Sequence, residues 1–331
     1  MKTQAIQLAR VTQISVLEEF NLFLLISDKA LIAYHLDLVC PTDPNVPAPR
    51  NNDSGRKAPQ KLSGSKDVGF FVSGRMKDRQ LVFYKKRENL ASVFKVLEPI
   101  YQKSTEKLRG IFKRGNTEFF REYDDFYIPA ECTGVNLFNS SLAVSTSRGF
   151  EVLTLDKKVS SSVPDLKAPH VQNIAQHIKD QKALAMLRLS DQEFLLCYSN
   201  CAVYVNKHGD VSRSVIMDFV GYAQAAALHG AYLVLFDNDF VEIRNAQNGR
   251  LKQIISGREI KCLDDGGSSS APTAPLMQHP PPPGPGAVNG ALNGSGLPSA
   301  DRRSVKFVMQ HPELERTQIV VELLLNENMK E

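Results

Sequence analysis

The chain has 331 residues, 42% of them apolar and 23% charged, with a formal net charge of +4. That length supports one large core or two smaller ones, and the net charge is too small to imply nucleic acid on its own. No stretch reaches the roughly 18 apolar residues of a spanning helix, and no secretory leader is legible from Met1 to Arg10. The five cysteines (Cys40, Cys132, Cys197, Cys201, Cys262) are too scattered for a disulfide framework, so a cytoplasmic, reducing setting is expected.

Ile6–Leu8 and Val11–Val16 read as strands because β-branched residues dominate. No partner strands precede them, so the first blade is expected to be truncated. Leu22–Leu36, LFLLISDKALIAYHL, is an apolar strand, a tight polar turn and an alternating second strand. Residues 41–65 are rich in Pro, Asn, Asp, Gly and Ser and are expected to be a disordered insertion. Strands resume at Val68–Ser73, Gln80–Tyr84 and Ser92–Leu97. Thr105–Arg114 is basic, a short surface helix or loop. Phe119–Ile128 is an aromatic-rich strand or corner.

Val135–Leu137, Leu142–Ser145 and Phe150–Leu155 form the next set, with SLAVSTSRGFEVLTL from Ser141 repeating the first layout. Val159–His170 reads as a linker and Val171–Lys179 as a short helix. Two complete sets follow, Leu184–Phe219 and Ala223–Ile255, built on EFLLCYSNCAVYVNK from Glu193 and AYLVLFDNDFVEIRN from Ala231. Gly209 and Gly249 supply the positive φ that their hairpin turns need. Residues 264–303, with the run Pro280–Pro283, are expected to be a second disordered insertion. Residues 304–327 carry the last strands, Val305–Met309 and Ile319–Leu325. Strand–turn–strand units of this kind cannot bury their apolar faces alone, and four-stranded units recurring at about 40–45 residues indicate an all-β fold, a β-propeller. About six blades are legible along 1–331.

Charge is distributed unevenly. From Arg75 to Arg114 the local balance is +8, leaving the remainder at −4. Arg75, Lys77, Arg79, Lys85, Lys86, Arg87, Lys103, Lys107, Arg109, Lys113 and Arg114 are the candidate partner-binding surface, suited to an acidic protein or an anionic membrane face. Phe83, Tyr84, Phe94, Tyr101 and Phe112 interleave with them, a mixture also found in single-strand nucleic-acid binders. Strand alternation buries such rings, so no nucleic acid is expected.

No catalytic constellation is legible, and no cofactor or metal is expected. Cys197 and Cys201 flank a turn and would face each other across strands, but two further ligands are missing. His170 and His177 lie seven apart on the expected helix without a carboxylate at ligand spacing. Asp124-Asp125 and Asp264-Asp265 are adjacent carboxylates, which strand geometry points apart, and they read as solvated turn charges. P-loop and GxSxG motifs are absent. Ala223–Leu228, Gln224 apart, is small and apolar where a central-channel enzyme would need polar residues.

The words FKVLEPI (Phe94–Ile100), YIPAE (Tyr127–Glu131), GFEVLTLD (Gly149–Asp156), EFLLCY (Glu193–Tyr198), VYVNKHG (Val203–Gly209), FVEIRN (Phe240–Asn245) and LKQIISG (Leu251–Gly257) occur in an order and spacing that resemble the citron homology (CNH) domain. The form resembled is the one at the carboxyl end of fungal Rho-type guanine nucleotide exchange factors. The resemblance implies a seven-bladed propeller used for protein contacts in small-GTPase and cell wall integrity signalling. It implies a cytoplasmic protein recruited to the plasma membrane at sites of polarised growth. The implied partners are a Rho-family GTPase or the Dbl-homology/pleckstrin-homology module of the parent exchange factor. The other homes of the domain, vesicle-tethering subunits and kinase scaffolds, are the alternative. Exchange activity itself needs a long helical bundle that has no counterpart in these residues. The family usually carries a Trp near the last strand of the EFLLCY blade; this chain has none, and Phe219 stands in the corresponding stretch.

Overall fold

The computed structural model describes residues 10–39, 59–63, 67–87, 91–101, 118–167, 169–267 and 304–325. The chain divides into two compact units, Met1–Ser161 and Ser162–Glu331.

The first unit begins with a sheet of β1 (Val11–Leu17), β2 (Leu22–Ser27), β3 (Ala30–His35) and β4 (Gln60–Lys61), each hydrogen-bonded to the next. The second sheet follows as β5 (Val68–Met76), β6 (Arg79–Arg87), β7 (Ser92–Pro99) and β8 (Phe120–Ile128). The third is β9 (Cys132–Leu137), β10 (Leu142–Thr146), β11 (Gly149–Leu153) and β12 (Ser161–Val163), the last strand lying where the chain passes between units. Two of its hairpins close in the same way. Asp28 and Lys29 between β2 and β3 have φ of 48° and 64°, and Lys77 and Asp78 between β5 and β6 have 47° and 63°. Positive φ at both central positions gives the turn twist that matches a right-twisted hairpin.

Burial explains how these sheets stack. Leu22, Leu24 and Ile26 of β2 pack with Phe71, Val82 and Tyr84 of the second sheet. The opposite face of that sheet, with Leu81, Phe83, Phe94 and Phe126, packs on Val135, Leu137 and Val144 of the third. The second sheet is thus buried on both faces, and its Phe94 and Phe126 rings stack at 4.8 Å. First strands of successive sheets lie side by side. The Gln13 amide of β1 donates to the Phe71 carbonyl at 2.6 Å, and its own oxygen accepts the Phe71 N–H at 3.0 Å. A Cβ on Gly74 of β5 would sit 2.9 Å from Leu137 Cδ1 of β9, so no larger residue fits there without movement.

The second unit repeats the plan with β13 (Ala183–Arg188), β14 (Glu193–Tyr198), β15 (Cys201–Asn206) and β16 (Val211–Asp218), then β17 (Ala225–His229), β18 (Tyr232–Phe236), β19 (Phe240–Asn245) and β20 (Leu251–Ser256). A three-stranded sheet ends it, β21 (Lys261–Asp264), β22 (Val305–Gln310) and β23 (Gln318–Leu323). Leu195, Cys197 and Tyr204 pack on Leu233 and Leu235, and Val234, Phe236 and Val241 pack on Val305 and Phe307. Gly209 and Gly249 sit in their hairpin turns at φ of 92° and 72°, as expected. Phe219, in the family's Trp stretch, is half-buried against the β13–β20 core.

Several expectations need correction. The first sheet has four strands, so the truncation expected in it is not found. Gln60–Lys61, read as part of an insertion, is a strand paired with Ile32 and Ala33 of β3. Ser161–Val163 is a strand within the stretch read as a linker, and the helix starts at Gln172, with His170 in a preceding single turn. Most of 41–65 and residues 268–303 lie outside the described residues, as do Ile6–Leu8.

Candidate protein-contact site

The hairpin β5–β6 carries six of the basic residues singled out from sequence, and its register fixes where they go. Arg75 and Arg79 bracket the two-residue turn, Met76 pairing with Arg79 and Arg75 with Gln80. Arg75 donates to Glu19 at 2.7 Å, Lys77 pairs with Asp156, and Arg79 donates to Glu98 at 3.0 Å. Lys86 is half-buried further along β6.

Lys85 is not on the surface. It is 6% exposed, and its ammonium donates to the Cys132 carbonyl at 2.8 Å. The second sheet is buried on both faces, so alternation along β6 carries no surface position at Lys85. The Arg87 side chain and Lys103, Lys107, Arg109, Lys113 and Arg114 lie outside the described residues.

The turn end of the hairpin opens onto a cavity of about 550 Å³. Its apolar side is Phe20, Pro99, Ile100 and Tyr101. The Phe20 and Tyr101 rings lie 4.4 Å apart between centroids. Its polar side brings Arg121, from β8, together with Arg75 and Arg79. Glu98, on β7 and 14% exposed, accepts from Arg79 through one oxygen and from Arg121 Nε through the other at 2.7 Å. Glu19 accepts from Arg75 and from the Tyr101 hydroxyl, and that hydroxyl first, then Arg75, holds its carboxyl below the ordinary value. Asp78 and Glu118 complete the rim.

Sequence reading found Arg75, Arg79 and Tyr101 and missed Arg121, Glu98, Glu19 and Phe20. Arg121 and Glu98 face each other across β7 and β8 in register, a cross-strand pairing that spacing alone does not reveal. The remaining candidates are structural. Register pairs Cys197 with Ala202, so Cys201, one position earlier, points to the opposite face from Cys197. Burial pushes the Cys201 thiol up to about 12 and raises Cys197 as well. His177 Nε2 lies 2.8 Å from an Asp218 oxygen. Asp124 and Asp125 lie within β8 and not in a turn, paired with Lys158 at 2.6 Å and Lys95 at 2.8 Å. Among the described residues no group of three His, Cys, Asp or Glu is placed to hold a metal, and no helix is long and apolar enough to cross a membrane.

Sheets whose first strands lie side by side and whose faces stack in sequence define a β-propeller, a fold that presents turns and loops for recognition. The family model of the CNH domain matches residues 2–266, and the chain belongs to that family. Rho1 guanine nucleotide exchange factor 1 of Schizosaccharomyces pombe is 33% identical over 267 residues, covering 80% of this chain and 19% of that protein. RHO1 GDP-GTP exchange protein 2 of Saccharomyces cerevisiae is 26% identical, covering 78% and 18%. Serine/threonine-protein kinase MRCK beta of Rattus norvegicus is 24% identical over 45% of this chain and 9% of the kinase. The chain therefore spans about a fifth of the length of the exchange factors it matches. The solved AfRom2 CNH domain superposes with a TM-score of 0.70 at 24% identity, covering 98% of this chain and 83% of that one, which speaks for the fold.

Proposed function

We propose that this chain is a non-catalytic regulatory module of a Rho-type exchange factor, acting by binding a Rho-family GTPase or by positioning the exchange module of its own polypeptide. The observation that carries the reading is the 33% identity to a Rho1 exchange factor along 80% of the chain. The local excess of basic residues between Arg75 and Arg114 supports an acidic partner surface. In this reading residues 1–331 are one propeller, 41–65 and 264–303 are insertions into it, and it works in the cytoplasm at the inner face of the plasma membrane. A kinase scaffold is the second reading, favoured by the partial match to MRCK beta.

The test is a titration of the full chain against Rho-family GTPases loaded with GDP or a GTP analogue, at two salt concentrations. The expected result is saturable binding that weakens at least fivefold when Lys86, Lys103, Lys107, Arg109, Lys113 and Arg114 are reversed to Glu. Lys85 is left in place because it is buried. No binding by a folded sample removes direct GTPase recognition.

A further inference from the structure

The last sheet has an open outer edge. The other five sheets have four strands each, whereas β21, β22 and β23 make three, and among the described residues β23 has β22 on one side and no strand on the other. A strand edge presents a row of N–H and C=O groups that template pairing with a further strand, and proteins ordinarily blunt it. The other outer strands are blunted. β4 and β12 are two and three residues long. β8, β16 and β20 are each bulged against their neighbour and carry charge at the bulge: Glu122 and Asp124 on β8, Arg213 on β16, Lys252 on β20. β23 has none of these devices. It runs for six residues, Gln318–Leu323, pairs with β22 without a register shift, and contains no Pro, Lys or Arg. Ile319, Val320 and Val321 at its centre are β-branched, the residue type a pleated ladder favours. Val320 is 64% exposed.

The sequence of the edge selects what fits it. An antiparallel partner places directly opposed side chains on one face of the sheet, about 4.5–5.5 Å apart. A second copy of β23 related by a two-fold axis is such a partner. With the axis at Val320, that residue meets its own counterpart, Ile319 meets Val321, and Gln318 meets Glu322. β-Branched residues then oppose one another, and the Gln318 amide donates to the Glu322 carboxylate on both sides of the axis. Lys306, behind Glu322 on β22, lies 3.8 Å from one of its oxygens and leaves the other for the partner. Moving the axis to Ile319 or Val321 opposes Val320 to Gln318 or to Glu322, and an axis at Glu322 sets like charges together, which is destabilising.

We propose that two copies of this chain associate by antiparallel pairing of their β23 edges, with Val320 on the two-fold axis, so that two three-stranded sheets become one of six. A ladder of this length buries less than a standard interface, so the dimer is weak and forms at concentrations on the order of 10–100 µM. The inference goes beyond the GTPase reading, since it concerns the second unit and uses none of the basic residues invoked there.

Sedimentation equilibrium of the full chain tests it, with the mass expected to rise from one chain toward two between about 1 and about 300 µM. Val320→Lys sets two ammonium groups together on the axis and should weaken association at least tenfold, a thermal melt confirming that the variant is folded. Gln318→Lys, facing Glu322 of the other copy, should tighten association about threefold, and Gln318→Glu should weaken it by a similar factor. Under mild oxidation Val320→Cys should link two chains faster than Glu322→Cys does, above the background of the parent chain's own cysteines. A folded chain that stays monomeric throughout, a dimer unaltered in folded Val320→Lys, or a dimer indifferent to the sign of the charge at position 318 would overturn it. The GTPase titration is a separate assay, so a chain that dimerises and binds no GTPase keeps this inference and loses the GTPase reading, and the reverse result does the opposite.

Discussion

Lys85 and Lys86 are neighbours in sequence and opposites in environment. The Lys85 ammonium is buried against the Cys132 carbonyl, whereas Lys86 is half-buried on the same strand. Reversing Lys85 to Glu would place a carboxylate against a carbonyl oxygen and is expected to cost about 3 kcal/mol in urea unfolding. Lys86→Glu should stay within about 0.5 kcal/mol. Lys85→Met, which keeps the stem and removes the charge, should fall between them. Two titrating groups in the second unit also give acid sensitivity. Burial lowers the His229 pKa below its ordinary 6.5, so the fold favours the neutral ring. The unfolded chain then takes up its proton at higher pH, and stability held above pH 6.5 is lost as pH falls through the folded value. The Arg213 side chain first, then Ser212, lowers the Glu193 carboxyl below 4.5, and that contribution is lost at still lower pH. His229→Leu should therefore flatten the stability–pH curve between about pH 7 and 5, measured by chemical denaturation, and leave the decline below pH 4.5.

At the scale of elements, the strand–turn–strand words were legible because two signals coincide in them. Alternating apolar residues set the strands, and turn residues such as Asp28-Lys29, Gly209 and Gly249 set the reversals. β4 and β12 were not legible: they are two and three residues long, sit at sheet ends and carry no periodic apolar pattern, so only pairing with a neighbouring strand defines them. The site was half legible for a related reason. Charge density marked Arg75 and Arg79, but Arg121 and Glu98 belong to it through strand pairing, and Lys85 drops out through burial between sheets. Packing of the last sheet can be tested directly. Phe307 is fully buried and its ring lies 5.8 Å from Phe236, so Phe307→Ala should cost about 3–5 kcal/mol. Asp264 of β21 and Lys306 of β22 are paired residues. Replacing residues 268–303 with a short Gly-Ser linker should consequently leave the sheet intact and raise stability by up to about 2 kcal/mol, because a shorter loop costs less to close.

At the scale of the molecule, thiol reactivity reports on opening of the cores. Cys132, Cys197 and Cys201 are buried and free, two in the second unit and one in the first. Burial raises all three thiols. In the native chain at pH 8 they should react with a disulfide reagent orders of magnitude more slowly than in guanidinium, with Cys132 and the other pair labelled at rates set by opening of their respective units. Mass spectrometry of the labelled peptides separates the two rates. The unequal connections within the sheets bear on the route to the native state. β2–β3, β5–β6, β14–β15 and β18–β19 are short hairpins that close almost at once after collapse, but the partners in β21 and β22 are separated by some forty residues. Closing that interval instead of a two-residue turn costs on the order of 2–3 kcal/mol of chain entropy, or roughly a hundredfold in rate if it is met before the strands pair. The sixth sheet is therefore expected to gain protection in pulse-labelled hydrogen exchange later than the short hairpins, and until it pairs the apolar face formed by Val234, Phe236 and Val241 would lack its cover.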